Sequence, residues 1–358
     1  MRRRLATVAA AALTVALLVP VASVSAASTI YVHPGQSIQA AINRAPSGAL
    51  ISVERGTYKG NLDVTRSVRL VGHHAVIVPA TKPTPNACLA LVGGLGVGIC
   101  VHGTFNSDGS IAKSISNVSV EGLTVRNFSG FGIIAAGVNG FRAARVVTAH
   151  NGAMGMLVSS ASRVSLLYNR SYGNDADGIQ VDGSPANAVI VGNASYSNLG
   201  AGILFVDSKG GRIELNSTYG NCAGIVVVAT GTPGRSGAGD VSVRLNQVTA
   251  NNRPCPAMPD NGVPAYGGVG IALMGAQNTV VALNDVRDNV EQTGGGITGG
   301  GIVLLDAAIF GAGAPTGNSV RLNSLSGNTP NDIYSDGTGT ANTVSGNTCA
   351  NSNVAGAC

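Results

Sequence analysis

The sequence has no tryptophan, and aromatic residues make up only 4% of it. A core of ordinary thickness uses more aromatic side chains to fill its volume. The composition therefore favours a narrow core of Val, Ile, Leu and Ala. Charged residues are also scarce, at 11% of the chain. Without the three N-terminal arginines, 19 Lys and Arg face 17 Asp and Glu, a net charge of +2. A chain this close to neutral gives no electrostatic argument for a nucleic-acid partner.

Several catalytic motifs are missing as well. The sequence contains no C-x-x-C, H-E-x-x-H, G-x-S-x-G or Walker loop, which removes the usual signals for thiol redox chemistry, zinc proteases, serine hydrolases and nucleotide hydrolysis. His73 and His74 form an isolated pair in a predicted turn. No metal site and no cofactor is predicted from these residues.

The N-terminal segment has the pattern of a secretory signal. Arg2, Arg3 and Arg4 precede an apolar stretch, and small residues follow at the cleavage position near Ala26. An uncleaved anchor helix is the alternative, although the stretch is short for a membrane span. We expect a signal peptide over 1–26, a single domain over 27–358, and a secreted, extracellular monomer without a membrane span. Six cysteines in a secreted chain suggest three disulfides.

A short repeat dominates the remaining sequence. A glycine followed by an apolar residue recurs at steps of 23, 23, 24 and 22 from Gly132 to Gly224, and returns at Gly270 and Gly301. Asparagine pairs five residues apart recur in phase with the glycines; their first members are Asn169, Asn193, Asn216, Asn246, Asn284 and Asn323. Asn347 and Asn351 form a shortened final pair. A period near 23 without helical spacing fits one rung of a parallel β-helix, an all-β solenoid.

Asparagine suits the corners of such a rung because it tolerates left-handed backbone, and amides stacked at one corner can form a ladder. In the short strand between the two asparagines of a pair, alternation points the residue two positions after the first asparagine into the core. These inward residues are Ser171, Ser195, Thr218, Val248, Val286 and Leu325. An exposed end of the solenoid needs protection. The helical spacing of apolar residues in Gln36–Ala45 predicts a short N-terminal capping helix.

The rung alignment also predicts cysteine pairs. Cys222 follows Asn221, and Cys255 lies four residues after Asn251, the matching corner of the next rung. Adjacent rungs bring such corners within disulfide range, so Cys222 is expected to pair with Cys255. Two local pairs complete the set, Cys88 with Cys100 and Cys349 with Cys358. Different pairing or free thiols is the alternative.

Three groups of residues are candidates for a site. The first is two long insertions at one corner, after Asn251 and Asn289, with a third insertion after Gly224 at another corner; long loops on a rigid scaffold commonly bind ligands. The second is a row of outward tyrosines, Tyr172, Tyr196 and Tyr219. Such a row either holds sugar rings or only stabilises the sheet surface.

The third group is aspartates. Asp175 and Asp177 occupy a corner turn in "NDADG", about 14 Å from the first insertion at the β spacing. Asp182 and Asp207 end equivalent strands of successive rungs, and His150 lies one rung before Asp175. Closely spaced carboxylates perform acid–base work on glycosides or bind Ca²⁺. Asp is also a common turn residue, which is the purely structural interpretation.

The stretch "YVHPGQSIQAAINRAPSGALISVERGTYKGNLDVTRSVRLVG" and the asparagine–glycine rungs after it resemble pectin-lyase-like, right-handed parallel β-helix proteins. The resemblance covers nearly all of the mature chain and implies that fold, while the family includes lyases, hydrolases, epimerases and tailspikes. "NDADGI" is similar to the "N-T-D-G" segment of polygalacturonases, but the matching position one rung after Asp177 is Ala201. The Gly-His-Gly, Arg-Ile-Lys and Asp-Pro-His motifs of the family's enzymes are absent.

Two classes of function therefore stay open. In the first, the protein is a non-catalytic binder of polysaccharide or a cell-surface glycan, held by Tyr172, Tyr196 and Tyr219 with Asp182 and Asp207. In the second, it is a polysaccharide lyase, glycoside hydrolase or epimerase whose catalytic residues are Asp175, Asp177 and His150, with Ca²⁺ an open question. A purely structural extracellular role is a third option. The distinguishing feature is whether an aspartate shares one groove with a histidine or a cation.

Overall fold

The computed structural model describes residues 28–184, 186–257, 262–292 and 296–358. The predicted signal peptide, residues 1–26, lies outside the described residues. The rest of the chain winds into a parallel β-helix with three long sheets, which we call faces A, B and C in the order in which the chain crosses them.

The strands of face A are Thr29–Val32, Ala49–Val53, Val68–Gly72, Ile115–Glu121, Val138–Ala144, Ser165–Leu167, Ala188–Val191, Lys209–Glu214, Gly239–Arg244, Val280–Ala282, Ser319–Arg321 and Thr343–Ser345. The strands of face B are Gly56–Lys59, Ala75–Val78, Thr124–Arg126, Val147–Ala149, Arg170–Tyr172, Ala194–Tyr196, Ser217–Tyr219, Gln247–Thr249, Asp285–Arg287 and Ser324–Ser326. The strands of face C are Leu62–Val64, Val97–His102, Phe131–Ala136, Met156–Ser159, Ile179–Asp182, Ala201–Val206, Ala223–Val228, Val269–Met274, Gly300–Leu305 and Ile333–Ser335.

Each strand pairs in parallel with its copy one rung away. On face C, for example, Ile179 aligns with Ile203, and Ile203 with Ile225. All three side chains are fully buried, so equivalent apolar residues stack along the axis and fill the narrow core. The six predicted inward positions from Ser171 to Leu325 are buried too. The predicted parallel β-helix is confirmed.

Asparagine ladders hold two corners of the rung. Between faces A and B, each side-chain amide donates to the next side-chain oxygen at 2.9–3.0 Å through Asn169, Asn193, Asn216, Asn246, Asn284, Asn323 and Asn347. Between faces B and C, a second ladder joins Asn151, Asn174, Asn198, Asn221, Asn251, Asn289 and Asn328 at 2.8–3.1 Å. These buried amides satisfy backbone groups that strand pairing leaves free at the corners.

The C-terminal end of the second ladder differs from the predicted series. Asn328 donates to Asp332 at 2.8 Å, and the side chain of Asn351 donates instead to the carbonyl oxygen of Pro330. Asn351 therefore lies outside both ladders, because the last rung is shortened and its corner is filled by a carboxylate.

The predicted capping helix is confirmed as Ile38–Arg44, with Ser37 as its N-cap. Ile38, Ala41 and Ile42 are buried against the first rung. A second short helix, Ala87–Leu91, and a two-stranded hairpin, Thr104–Phe105 with Ile111–Lys113, belong to loops outside the three sheets. In the part of the chain that the structure describes, no helix has the length and apolarity to cross a membrane.

All three predicted disulfides are present. Their Cα–Cα distances are 5.8 Å for Cys88–Cys100, 5.7 Å for Cys222–Cys255 and 5.1 Å for Cys349–Cys358. No cysteine of the described residues is free. Cys222–Cys255 ties the first long insertion to the corner of the preceding rung.

Candidate functional site

A groove runs along the outer surface of face C. Its C-terminal part, which we call the apolar section, is a cavity of about 500 Å³. Two columns of outward side chains on successive strands form its floor: Gln180, Leu204, Val226 and Ala272 in one, and Val206, Val228 and Met274 in the other. The loops at the two flanking corners form its walls, with Val263, Tyr266 and Ile297 on one side and Thr230 and Phe310 on the other.

The first long insertion folds back over earlier rungs, which the sequence did not indicate. The Arg253 guanidinium donates to the carbonyl oxygen of Ser197 at 2.8 Å. Cys255 and Tyr266 exchange backbone hydrogen bonds of 2.8 and 3.1 Å. The disulfide and these contacts carry Val263 and Tyr266 to the same cavity as Asp177. The corners of "NDADG" and the insertion are three rungs apart, as predicted, but the loop returns from its corner and lines the same cavity as Asp177.

Asp177 is the buried carboxyl of this cavity. One carboxylate oxygen accepts a hydrogen bond from the backbone N–H of Ala201, at 2.7 Å. Burial raises the pKa of Asp177 to about 6, against the partial opposition of backbone hydrogen bonds. Tyr266 is buried nearby, and burial together with the charge of Asp177 raises its pKa as well. Asp177 therefore changes protonation state in mildly acidic solution, as a general acid or base must.

The other two predicted catalytic residues lie apart. Asp175 also lines the cavity, with an exposed side chain. His150 is exposed on the face B side of the corner, where its ring meets that of Tyr172 edge-on at 5.3 Å. The described lining residues of the apolar section include neither a histidine nor a cation. The structure thus brings Asp175 and Asp177 together and leaves His150 outside the groove.

A second section of the groove lies towards the N-terminus and has a more polar lining. Asp207 belongs to this lining and is buried, and it accepts hydrogen bonds from the backbone and the hydroxyl of Thr230. Asp182 lies beside it, 3.7 Å from Arg235 of the third insertion. Burial raises the pKa of Asp182, Arg235 opposes the shift, and Asp207 adds to it. The predicted proximity of the two aspartates is consistent with this mutual effect.

Arg235 itself packs flat over Gly183, where a Cβ atom would overlap the guanidinium. The backbone of Gly183 is left-handed, with a φ of 59°. Glycine therefore serves two purposes here, since it adopts this conformation without strain and leaves room for the arginine. Because Thr230 lines the apolar section and bonds to Asp207 of the second section, the two sections adjoin.

The three predicted tyrosines form a ladder on the outside of face B. Tyr172 and Tyr196 stack at 4.9 Å, and Tyr196 and Tyr219 at 4.7 Å, with interplanar angles of 4° and 3°. Each inner ring face is thus covered by the next ring, and edges and hydroxyls point outwards. Sugar rings commonly pack on an open aromatic face, so this geometry favours sheet stabilisation. The hydroxyl of Tyr196 also accepts a hydrogen bond of 2.8 Å from Arg170.

A pair between a buried histidine and a half-buried aspartate at the N-terminal end of face C was not predicted from the sequence. His102 Nε2 lies 3.0 Å from a carboxylate oxygen of Asp63. Burial alone would lower the pKa of His102, but the hydrogen bonds to Asp63 and Gly103 raise it overall. The register that pairs Asp63 with Cys100 creates this contact, and the two residues lie 39 positions apart in the chain. Only a full rung alignment of the irregular N-terminal turns would have found it.

The described residues offer little for a metal ion. Asp63, Cys100 and His102 cluster within 4.8 Å, but Cys100 is in a disulfide and supplies no thiolate. In the apolar section, the charged groups are Asp175 and Asp177, and one oxygen of Asp177 is engaged by Ala201. Calcium takes six to eight oxygen ligands, so neither group matches a calcium site.

Comparison with known proteins agrees with this architecture. A family model described as "Right handed beta helix region" matches residues 97–248. The A-module of mannuronan C-5 epimerase AlgE4 from Azotobacter vinelandii is 17% identical, with a TM-score of 0.54 over 89% of this chain and 95% of that one. DFA-IIIase from Arthrobacter chlorophenolicus, solved without its lid in complex with GF2, is 14% identical, with a TM-score of 0.51 over 86% and 89%. Comparison with curated proteins found no match.

At these identities the structural likeness shows the fold alone. The family model, which covers less than half of the chain, agrees with this fold. The chain therefore has the right-handed parallel β-helix fold.

Proposed function

We propose that this protein is exported and binds an extracellular glycan in the face C groove without cleaving it. Three disulfides support export, because such bonds persist in oxidising compartments. Two structural neighbours, the epimerase and DFA-IIIase, carry names of enzymes that act on carbohydrates. This supports a carbohydrate ligand for the groove.

The observation that carries the proposal is the composition of the groove. Corner insertions wall a concave surface on a rigid sheet, which is where binding sites commonly lie. Gln180 supplies a hydrogen-bonding group to the otherwise aliphatic floor of the apolar section. Asp207 and Ser236 line the adjoining second section. A sugar presents the same mixture of hydroxyls and C–H faces. Among the described residues that line the apolar section, Asp175 is the other charged group and neither a histidine nor a cation accompanies Asp177, whereas catalysis on a glycosidic bond needs its two groups in defined places.

A catalytic role is the second candidate, and one observation favours it. A carboxyl with a pKa of about 6 lines the cavity, and such a group can give or take a proton near neutral pH. Asp175 is then the nearest partner, as a second carboxylate on the same turn. In this candidate, Asp175 and Asp177 would act on the bound substrate without His150.

One experiment separates the two candidates. A panel of neutral polysaccharides and polyuronates is tested for binding and for turnover, with and without Ca²⁺. The proteins are wild type, the double variant Asp175→Ala/Asp177→Ala, and Asp240→Ala as a control on face A. We expect binding by wild type and the control, weaker binding by the double variant, and no release of reducing ends or unsaturated products.

Turnover by wild type and the control, lost in the double variant, would make Asp175 and Asp177 catalytic and overturn the binding-only proposal. If no glycan binds to any of the three folded proteins, the glycan proposal fails altogether.

A further inference from the structure

The outward columns of face C change character along the axis. From the rung of residues 179–182 towards the C-terminus, one column runs through Gln180, Leu204, Val226, Ala272 and Val303, and the other through Asp182, Val206, Val228, Met274 and Leu305. Both columns are polar at the rung of residues 179–182 and aliphatic at the next four rungs. Apolar side chains on the outer surface of a sheet are costly unless something covers them.

The corner loops bury the C-terminal part of these columns and leave Leu204 and Val206 partly exposed. Tyr266, Ile297 and Phe310 pack against the aliphatic floor, yet the cavity of about 500 Å³ remains between them. This volume lies within the usual range of 300–1,000 Å³ for ligand sites. A polysaccharide with bare hydroxyl groups would leave many of its polar groups unpaired on such a floor, at a cost in affinity.

Building on the proposed function, we infer that the apolar section holds a neutral sugar residue whose hydroxyls carry acyl or alkyl groups, and that it rejects polyuronates. The acyl or alkyl groups would lie on Leu204, Val206 and Val226, which line the cavity. The unmodified hydroxyls would meet Gln180 at one end and the Thr230 side of the groove at the other.

The charges argue for the same class of ligand. Asp175 and Asp177 are the charged side chains among the described lining residues of the apolar section. The carboxylate of a uronate placed there would be repelled by these two side chains. Among the described lining residues it would find no cation to compensate its charge, and both effects oppose binding. Arg235 lies in the adjoining section, where Asp182 at 3.7 Å already balances its charge. Among the described residues, the lining of the apolar section therefore lacks the basic side chains that a polyanion requires.

The test compares matched ligands. An O-acetylated neutral polysaccharide, the same material after alkaline de-O-acetylation, and a polyuronate are titrated against the full chain. The site variant is Val226→Thr, which replaces one methyl group of the floor with a hydroxyl and keeps the β-branched shape. The control is Val189→Thr, the same change at an outward, partly buried position on face A.

We expect the acetylated polymer to bind wild type about tenfold more tightly than its de-acetylated form, as the burial of two methyl groups would give. Val226→Thr should reduce this preference several-fold, and Val189→Thr should leave it unchanged. If Val226→Thr does not fold, Val206→Thr makes the same test at a partly exposed position of the other column.

The remaining outcomes separate the two proposals. Equal binding of the acetylated and de-acetylated polymers, or tighter binding of the polyuronate, would overturn this inference and leave the glycan-binding function intact. Absence of binding to all three polymers would overturn the proposed function itself.

Discussion

The carboxylate of Asp177 accepts a hydrogen bond of 2.7 Å from the backbone N–H of Ala201, so one buried side chain links two successive rungs at the wall of the groove. A neutral side chain could make the same bond. The carboxylate therefore brings a burial cost that the fold does not require, and this cost depends on pH.

The first prediction concerns this pH dependence. The pKa of Asp177 is raised by burial from 3.8 to about 6 in the folded protein. Folding is therefore favoured while the carboxyl is protonated, and the benefit is lost as pH rises through 6. Relative to Asp177→Asn, wild type should lose about 3 kcal/mol of unfolding free energy between pH 3.5 and pH 7.5. Denaturant titrations of both proteins at the two pH values measure this, and a difference that does not change with pH would contradict it.

The second prediction concerns the ladder between faces B and C. The side-chain oxygen of Asn198 accepts from Asn174 at 2.9 Å, and its amide donates to Asn221 at 3.0 Å. Asn198→Ala leaves these buried partners unpaired and should lower the unfolding free energy by about 3 kcal/mol. Asn351→Ala is the matched control, because Asn351 is exposed and outside the ladders. Equal thermal stability of the two variants would refute an energetic role for the ladder.

The third prediction separates the tyrosine ladder from the groove. Tyr196 stacks on Tyr172 and Tyr219 at once. Tyr196→Ala removes both contacts and should cost about 2 kcal/mol of stability, while glycan affinity stays within twofold of wild type. Thermal unfolding and a binding titration on the same sample provide the measurement. A large loss of affinity in a stable variant would instead identify the ladder as the sugar-binding surface.

The fourth prediction concerns the groove wall. The double variant Cys222→Ser/Cys255→Ser removes the disulfide between positions 33 residues apart and releases the insertion that carries Tyr266. It should lose about 2–4 kcal/mol of stability and most of its glycan affinity. Cys349→Ser/Cys358→Ser, which opens a link across 9 residues at the C-terminus, should lose stability and keep its affinity. Equal glycan affinities of the two double variants would show that the insertion does not form the site.

Much of the fold could be predicted from the sequence because the rung is local and periodic. The alignment of Asn221 with Asn251 places Cys222 beside Cys255, and the same alignment explains the inward Ser171 and Ser195. The first aliphatic column was also accessible in this way, since the second residue after the repeated glycines from Gly178 to Gly301 is Gln180, Leu204, Val226, Ala272 and Val303 in successive rungs.

The sequence by itself determined the solenoid, its corners and its disulfides, because each rung repeats the same short pattern against an identical neighbour. Only the tertiary structure decided the site. The return of Tyr266 over Asp177 depends on the path of an irregular loop. The placement of His150 beside Tyr172 depends on whether its side chain points to the face B side or the face C side of the corner. The first is set by contacts between residues that no repeat relates, and the second by a side-chain direction that the period alone does not fix, although the rung alignment places Ala149, next to His150, opposite Tyr172.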